Sequence, residues 1–304
     1  MLRVGRRYLV MLVALALVWG ASFLFIKVAV RELAPSTLIV GRLGLAAVTL
    51  AFVAPLAVGA RETAAELRAN AGLLVVVALL NTAIPFWLLS WGETRIDSGL
   101  ASILQAAVPI FVALVAFGFF HEVRVTGLRL LGVVVGFGGV ALLVGAQPEG
   151  RVLGALAVVG MAFCYAVGGL LIGRHLAHVH SVIVALAVTA VSTLVALPAG
   201  ILQGPDHVPG WKTIGSVVAL GVPGTAFAYL LFFGLIRGPG APYASLVTYL
   251  IPPIALAYGA IFLGERFGAS AYGGLALILG GVALGTGAVG AGRLRRRRVA
   301  SQAS

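Results

Sequence analysis

Long apolar stretches, separated by short clusters of glycine, proline and charged residues, dominate this sequence. Each stretch is continuously apolar rather than alternating, and each approaches the roughly 20 residues that a helix needs to cross a bilayer core. The pattern predicts an all-α polytopic membrane protein with ten transmembrane helices. The predicted ranges are 8–30, 36–58, 70–91, 98–119, 127–146, 152–173, 181–202, 213–235, 241–263 and 270–290.

The two halves of the chain carry the same residues in the same order, 143 positions apart. The matched series are Ala101-Ser102, Pro109, Phe119 and Glu122 in the first half, and Ala244-Ser245, Pro252, Phe262 and Glu265 in the second. This offset predicts two five-helix repeats, over 8–146 and 152–290. Because five is odd, the second repeat enters the membrane from the opposite side. We therefore expect an inverted pair, the architecture that supports alternating access in carriers.

Arginine and lysine lie mostly on one side of the predicted membrane. Fourteen fall in one set of loops and ends (Arg3, Arg6, Arg7, Arg61, Arg68, Arg124, Arg129, Arg174, Arg237, Arg293 and Arg295 to Arg298), and five in the other (Arg31, Arg95, Arg151, Lys212 and Arg266). Cytoplasmic loops carry the excess of these residues. Both termini and residues 59–69 are expected to be cytoplasmic, and residues 203–212 outside. Residues 291–304 then form a basic cytoplasmic tail. The first apolar run is long enough to be a retained helix rather than a signal peptide.

Composition supports the membrane assignment and excludes several other classes. Hydrophobic residues make up 61% of the 304 residues and charged residues 10%, against about 45–50% and 25% in soluble domains. The +12 net charge is spread over loops and the tail, so nucleic acid is not an expected partner. The single cysteine, Cys164, rules out an intrachain disulfide. His175, His178 and His180 lack a nearby carboxylate or thiolate, so no metal or cofactor is expected.

The order of residues within each half is similar to a known family. Trp19-Gly20-Ala21-Ser22-Phe23, followed by Lys27, Pro35 and Arg42, resembles the start of an EamA-type repeat, and the duplicated series above resembles its end. Over residues 10–290 the chain resembles the drug/metabolite transporter superfamily. The second half departs from the pattern, since Phe163-Cys164-Tyr165 replaces the Trp-Gly pair. The resemblance implies a secondary transporter of the bacterial plasma (inner) membrane that commonly exports amino acids or related metabolites.

Two cations lie inside predicted helices. Arg42 is about 10 Å along its helix from the outer end, at 1.5 Å per residue, and Lys27 is about half as deep. Charges at such depth usually face the bundle interior or a water-filled path, and here they favour a substrate with an anionic group. The alternative is snorkelling to the interface or capping of carbonyls.

Prolines at matching positions predict kinks in the fourth and ninth helices. Pro109 and the Pro252-Pro253 pair remove backbone donors and free carbonyls that can bind polar ligand groups, unless the kinks serve packing alone. Together with Lys27 and Arg42, the polar and aromatic residues of neighbouring segments form the candidate substrate site: Trp19, Ser22, Trp87, Gln105, Tyr165, Tyr229, Thr248 and Tyr249. Three Gly-x-x-x-Gly motifs, at 132–136, 169–173 and 281–285, favour close helix packing.

All nine acidic residues fall in predicted loops or at helix ends. None lies at mid-membrane, so the usual carboxylate proton relay is missing. Proton coupling through Glu122 or Glu265 at a helix end, or through a histidine, stays open, and no catalytic grouping is recognisable. The sequence favours a secondary transporter that moves a small, amino-acid-like or drug-like metabolite by alternating access. A membrane-embedded enzyme and a channel are the alternatives. The expected partners are the small-molecule substrate and the lipid bilayer, with the chain as monomer or homodimer.

Overall fold

The computed structural model describes residues 6–120, 127–147 and 151–285, and all regular structure in these ranges is helical, as predicted. The α-helices are α1 Arg6–Ala29, α2 Pro35–Val58, α3 Ala60–Ala69, α4 Ala71–Ala78, α5 Ile84–Glu93, α6 Ser98–Gln105, α7 Val108–Phe120, α8 Leu128–Gly145, α9 Val152–His175, α10 Ser181–Leu202, α11 Trp211–Gly221, α12 Ala228–Arg237, α13 Ala241–Ala244, α14 Val247–Leu263 and α15 Ala269–Gly285. Glu122, residues 148–150 and the basic tail lie outside the described residues.

Seven helical segments of the described chain are long and apolar enough to cross a membrane. They are Arg6–Ala29, Pro35–Val58, Ala71–Glu93, Ser98–Ala116, Val152–His175, Ser181–Leu202 and Trp211–Arg237. The other three predicted spans correspond to shorter apolar helices, Leu130–Gly145, Val247–Leu263 and Ala269–Leu284. Large apolar side chains such as Leu56 and Leu202 are exposed on the bundle surface, which is the surface that lipid covers.

Four of the predicted spans are interrupted helices. The third consists of α4, a π-helical segment at Leu79–Ala83 and α5, and the eighth consists of α11, a π-helical segment at Val222–Phe227 and α12. The two π-helical segments begin 143 residues apart, at the offset of the sequence repeat. Turns at 106–107 and 245–246 interrupt the fourth and ninth spans.

The predicted 59–69 loop contains a short polar helix. It is α3, which follows Gly59 at φ 102°, a backbone conformation that glycine adopts without steric cost. The loop sequence ARETAAELRA has good helix formers, and a search for apolar spans alone could not reveal it.

Packing between the two halves is reciprocal. Helix α1 packs against α11, α12 and α14 of the second half, whereas α9 packs against α5 and α7 of the first. Helix α2 pairs with α10, and α8 pairs with α15. The main hydrophobic core joins side chains from both halves, including Leu15, Ile26 and Met161.

Glycine allows α8 and α15 to approach closely. A Cβ atom added at Gly281 would lie 2.6 Å from the Gly136 backbone nitrogen and 2.7 Å from its Cα atom. Two of the predicted Gly-x-x-x-Gly motifs thus meet at this contact. The third does not form one, because a Cβ atom at Gly169 or Gly173 would meet no atom within 4 Å.

Contacts between distant loops hold one end of the molecule together. Glu32 Oε2 accepts a hydrogen bond from the Gly210 backbone N–H at 2.7 Å, and this bond lowers the pKa of the Glu32 carboxyl. Arg151 Nη1 lies 3.7 Å from Asp97 Oδ2. These loops all belong to the set with fewer cations, so we call this the outer end.

Candidate functional site

A cavity of about 570 Å³ lies between the two halves. Its lining reaches Ala177, Val179 and Arg237 at the end opposite to the outer end. At that mouth, Arg237 Nη2 contacts His180 Nε2, and burial together with the Arg237 charge lowers the pKa of His180. Seven of the ten predicted site residues line the cavity: Trp19, Ser22, Arg42, Gln105, Tyr165, Tyr229 and Thr248.

Arg42 supplies the buried charge of the cavity. Its side chain is 6% exposed, its Nε donates to Thr225 Oγ1 at 3.0 Å, and its guanidinium carbon lies 4.2 Å from the centroid of the Phe86 ring. Among the described residues, no carboxylate lies within 4.0 Å of it and none bonds its two terminal nitrogens. A buried cation without an anionic partner is costly, so these nitrogens can bind an anionic ligand.

The π-helical segments shape the wall beside Arg42. Thr225 lies in the second segment, where its hydroxyl donates to the Leu220 carbonyl at 2.8 Å and accepts from Arg42. Asn81 of the first segment also lines the cavity. π-helical turns inside α-helices occur frequently at functional sites. Here they place the polar side chains of Thr225 and Asn81 on the cavity wall.

Aromatic rings cover much of the remaining wall. Trp19 packs on Phe232 with ring centroids 5.3 Å apart, and Tyr229 stacks on Phe233 at 5.9 Å. Tyr165 meets Phe86 edge-on at 6.4 Å. Such walls suit an apolar or aromatic substrate group, and their π faces also attract cations.

The helix interruptions bring polar groups to the cavity. Pro109 lies in the first turn of α7, directly after the turn at 106–107, and its missing N–H leaves the Gln105 carbonyl without its usual helical donor. Pro252 and Pro253 lie inside α14, so the Thr248 and Tyr249 carbonyls likewise lack theirs. The side chains of Gln105 and Thr248 line the cavity.

Three predicted site residues lie elsewhere. Lys27 Nζ donates to the backbone carbonyls of Glu93 and Ile96, at 2.6 Å each, which is the carbonyl capping considered as the alternative for this residue. Trp87 is 41% exposed and stacks on Trp91 at 6.1 Å, on the surface of the bundle. Tyr249 is half-buried and packs against the main core.

Sequence reasoning missed several cavity residues. Thr225, Asn81, Phe86 and Phe232 were not among the candidates, although Thr225 repeats Thr82 at the 143-residue offset. A polar residue repeated inside an apolar span was an available signal. The aromatic residues carried none, because phenylalanine is common in lipid-facing and packed helices alike.

The chain matches known transporters over most of its length. The model of the EamA-like transporter family matches residues 6–145 and again residues 152–286. A probable terminal-alkyne amino-acid exporter of Streptantibioticus cattleyicolor is 30% identical over 300 residues, covering 95% of this chain and 95% of that protein. A probable amino-acid metabolite efflux pump of Salmonella typhimurium is 27% identical, covering 87% and 90% of the two chains.

A solved crystal structure has the same fold. It superposes with a TM-score of 0.65 and covers 96% of this chain and 98% of its own, at 19% sequence identity. At this identity the likeness concerns the fold alone.

Proposed function

The chain belongs to the EamA-like transporter family, and we propose that it exports a small metabolite with a carboxylate and an apolar side chain by alternating access. It is a membrane transporter of small metabolites, as the family and the named relatives establish. The carboxylate, the apolar group, the direction of transport and alternating access belong to the proposal. We take an apolar amino acid as the model substrate.

Arg42 carries the proposal for the carboxylate. Its two terminal nitrogens lack partners among the described residues, and its Nε is fixed by Thr225. A guanidinium held in this way presents parallel N–H groups that match the two oxygens of a carboxylate. Arg42 is only 6% exposed, and burial strengthens such a charge-assisted bond.

The rest of the cavity supports an amino acid as the bound molecule. The rings of Trp19, Tyr229 and Phe232 offer an apolar surface for a side chain. The carbonyls freed by the prolines, together with the Gln105 side chain, offer acceptors for an α-ammonium group. A cavity of about 570 Å³ falls within the range of roughly 300–1,000 Å³ for small-molecule sites.

Reciprocal packing supports the inverted repeat on which alternating access rests. Helix α9 is the sixth predicted span. It packs against helices of the first half in the way that α1 packs against helices of the second half. The paired π-helical segments follow the same offset. Two halves related in this way can exchange their conformations, which opens the cavity to each side in turn. With the predicted orientation, the present cavity opens to the cytoplasm.

Ligand-dependent thermal stabilisation of the purified protein tests the substrate class. L-phenylalanine should raise the unfolding temperature, because a ligand that binds only the native state stabilises it. L-phenylalaninamide keeps the ring and the ammonium but lacks the carboxylate. It should need a roughly 10- to 150-fold higher concentration, because a hydrogen bond to a charged group contributes about 1.5–3 kcal/mol. Equal responses to both ligands, or none to either, would contradict the proposal.

Cysteine labelling tests the orientation. In a Cys164→Ser background, Ala65→Cys in α3 should be protected from an impermeant maleimide in intact cells, whereas His207→Cys should react. The reverse pattern would place the cavity mouth outside and would contradict the predicted orientation.

A further inference from the structure

Glu93 is a fully buried carboxyl group that the proposed binding site does not use. It is the last residue of α5 and is 0% exposed. Neither of its carboxyl oxygens has a hydrogen-bond partner among the described residues. Buried side-chain oxygens are nearly always hydrogen-bonded, and an acidic group inside a membrane protein marks a functional site by default.

Close contact with α9 covers one side of the end of α5. A Cβ atom added at Gly92 would lie 2.8 Å from Val158 Cγ2 and 3.0 Å from the Gly154 carbonyl oxygen. The glycines thus let the end of α5 lie directly against α9. The first part of α9, residues 152–161, carries no titratable side chain. It therefore offers no charged partner to the Glu93 carboxyl.

None of the charged groups near Glu93 bonds its carboxyl oxygens among the described residues. These groups are Lys27 of α1, Arg42 of α2 and Glu265, which follows α14. Lys27 bonds two backbone carbonyls, and Arg42 bonds Thr225. Glu265 accepts hydrogen bonds from Ser98 N at 2.8 Å and Ser98 Oγ at 2.9 Å, which caps the N-terminus of α6. Neither α6 nor the π-helical segment at Leu79–Ala83 carries a titratable side chain.

Glu93 lies where the cavity is closed toward the outer end. Leu89, one helical turn before Glu93, lines the cavity, as does Ile26, the neighbour of Lys27. Lys27 ties α1 to the connection between α5 and α6 through the Glu93 and Ile96 carbonyls. Opening the cavity outward requires α1 and this connection to separate, which would bring the Glu93 carboxyl to water.

We propose that Glu93 is a proton-binding site whose occupancy controls closure of the outer end. The protonated acid is neutral and can be held in its fully buried position. The ionised carboxylate is costly to bury and competes with the carbonyls for the Lys27 ammonium, which loosens the link to α1. The proton passes from external water to a Glu93 Oε atom as the end closes and returns to external water as it opens.

This inference rests on the alternating-access carrier proposed above, but its test needs no substrate. Ile26→Cys in a Cys164→Ser background places a thiol behind the closed end. An impermeant maleimide, added outside to sealed right-side-out vesicles, reports the fraction of outward-open protein. The reactivity of the thiol itself is corrected by labelling the denatured protein at each pH.

Corrected labelling should rise with external pH, by up to about tenfold per pH unit, the limit for one proton. Glu93→Gln mimics the neutral acid, so it should fold and should stay closed, with low labelling at every pH. Asp206→Asn removes an exposed carboxylate of the 203–212 loop and should behave like the parent. Equal pH dependence in Glu93→Gln and the parent, or none in the parent, would overturn the proposal.

Glu93→Asp provides the second variant if the glutamine protein is poorly folded. It keeps an ionisable group at a different distance from Lys27, so the pH dependence should persist with a shifted midpoint. An unchanged midpoint would also overturn the proposal. A failure of L-phenylalanine to bind would refute the proposed substrate class and would leave the labelling result unaffected.

Discussion

Replacing Arg42 by lysine or glutamine separates the charge of this side chain from its geometry. Lysine keeps the charge but has neither the Nε–H that bonds Thr225 at 3.0 Å nor the planar fork that pairs with a carboxylate. Glutamine removes the charge as well. If Arg42 binds the substrate carboxylate, both variants should fold and transport should weaken in that order.

The contacts of Arg42 set the expected magnitude. The lysine variant loses one of the two parallel bonds to a carboxylate, and a hydrogen bond to a charged group contributes about 1.5–3 kcal/mol. The apparent affinity should therefore fall roughly 10- to 150-fold. The glutamine variant also loses the charge attraction at a largely buried side chain and should nearly abolish transport. Thr225→Val removes only the neutral hydroxyl that accepts a hydrogen bond from Arg42 Nε. It should weaken substrate binding by about 1 kcal/mol, which is a roughly fivefold loss of affinity.

Initial rates of L-phenylalanine uptake into sealed vesicles, at increasing concentration, measure these effects. Trp87→Phe is the matched control, because it changes an aromatic residue on the bundle surface and should leave uptake unchanged. Unchanged affinity in Arg42→Gln would refute the recognition role. If that variant instead lost folded protein, and a second Glu93→Gln or Glu265→Gln change restored it, Arg42 would be a structural residue.

Three further predictions concern the helices and the outer loops. Pro109→Ala and Pro252→Ala should reduce flux more than they reduce the amount of folded protein in the membrane, because they restore backbone donors that the cavity wall lacks; normal flux in both would make these prolines packing features. Gly281→Leu should lower the unfolding temperature through an overpacking cost of about 1–3 kcal/mol, whereas Gly280→Leu, whose added Cβ meets no atom within 4 Å, should not; equal melting of the two would contradict the contact. The pKa of Glu32 is lower in the folded protein than in the unfolded chain, where it is about 4.3. Ionised Glu32 therefore stabilises the fold at pH values above the unfolded-state pKa, and this contribution is lost as pH falls through the folded-state pKa. Unfolding temperatures from pH 3 to 6 should therefore show a steeper acid decrease in the parent than in Glu32→Gln, and parallel curves would show that the loop contact is absent.

The sequence was sufficient to predict the helical class, the places of the apolar segments and much of the cavity. Arg42 could be singled out because a deep charge in an apolar helix has few explanations. Its partner Thr225 could not, since the contact joins residues 183 positions apart in the chain. Helix interruption was less predictable, since the turn at 245–246 divides the predicted span 241–263 into α13 and α14.

Side-chain direction and helix ends limited the remaining predictions. The sequence suggested that both Trp87 and Trp19 line the cavity. Trp19 lines it and Trp87 lies on the bundle surface, because the two residues lie on differently oriented helix faces, which the sequence does not reveal. For Lys27 the sequence left two possibilities open, a place in the cavity or capping of backbone carbonyls, and the structure shows the capping. Glu93 was placed correctly at a helix end, but its complete burial depends on how distant helices pack around it, which no local pattern reports.

Counterflow of L-phenylalanine in liposomes that contain the purified protein tests the central claim most directly. Vesicles preloaded with unlabelled L-phenylalanine should accumulate external labelled L-phenylalanine transiently, and the initial rate should saturate with concentration. Preloading with L-phenylalaninamide at the same concentration should give little acceleration, because the amide lacks the group that Arg42 is proposed to bind. An alternating-access carrier for a carboxylate substrate predicts this combination. Uptake that neither saturates nor responds to preloading, or that responds equally to the amide, would contradict it.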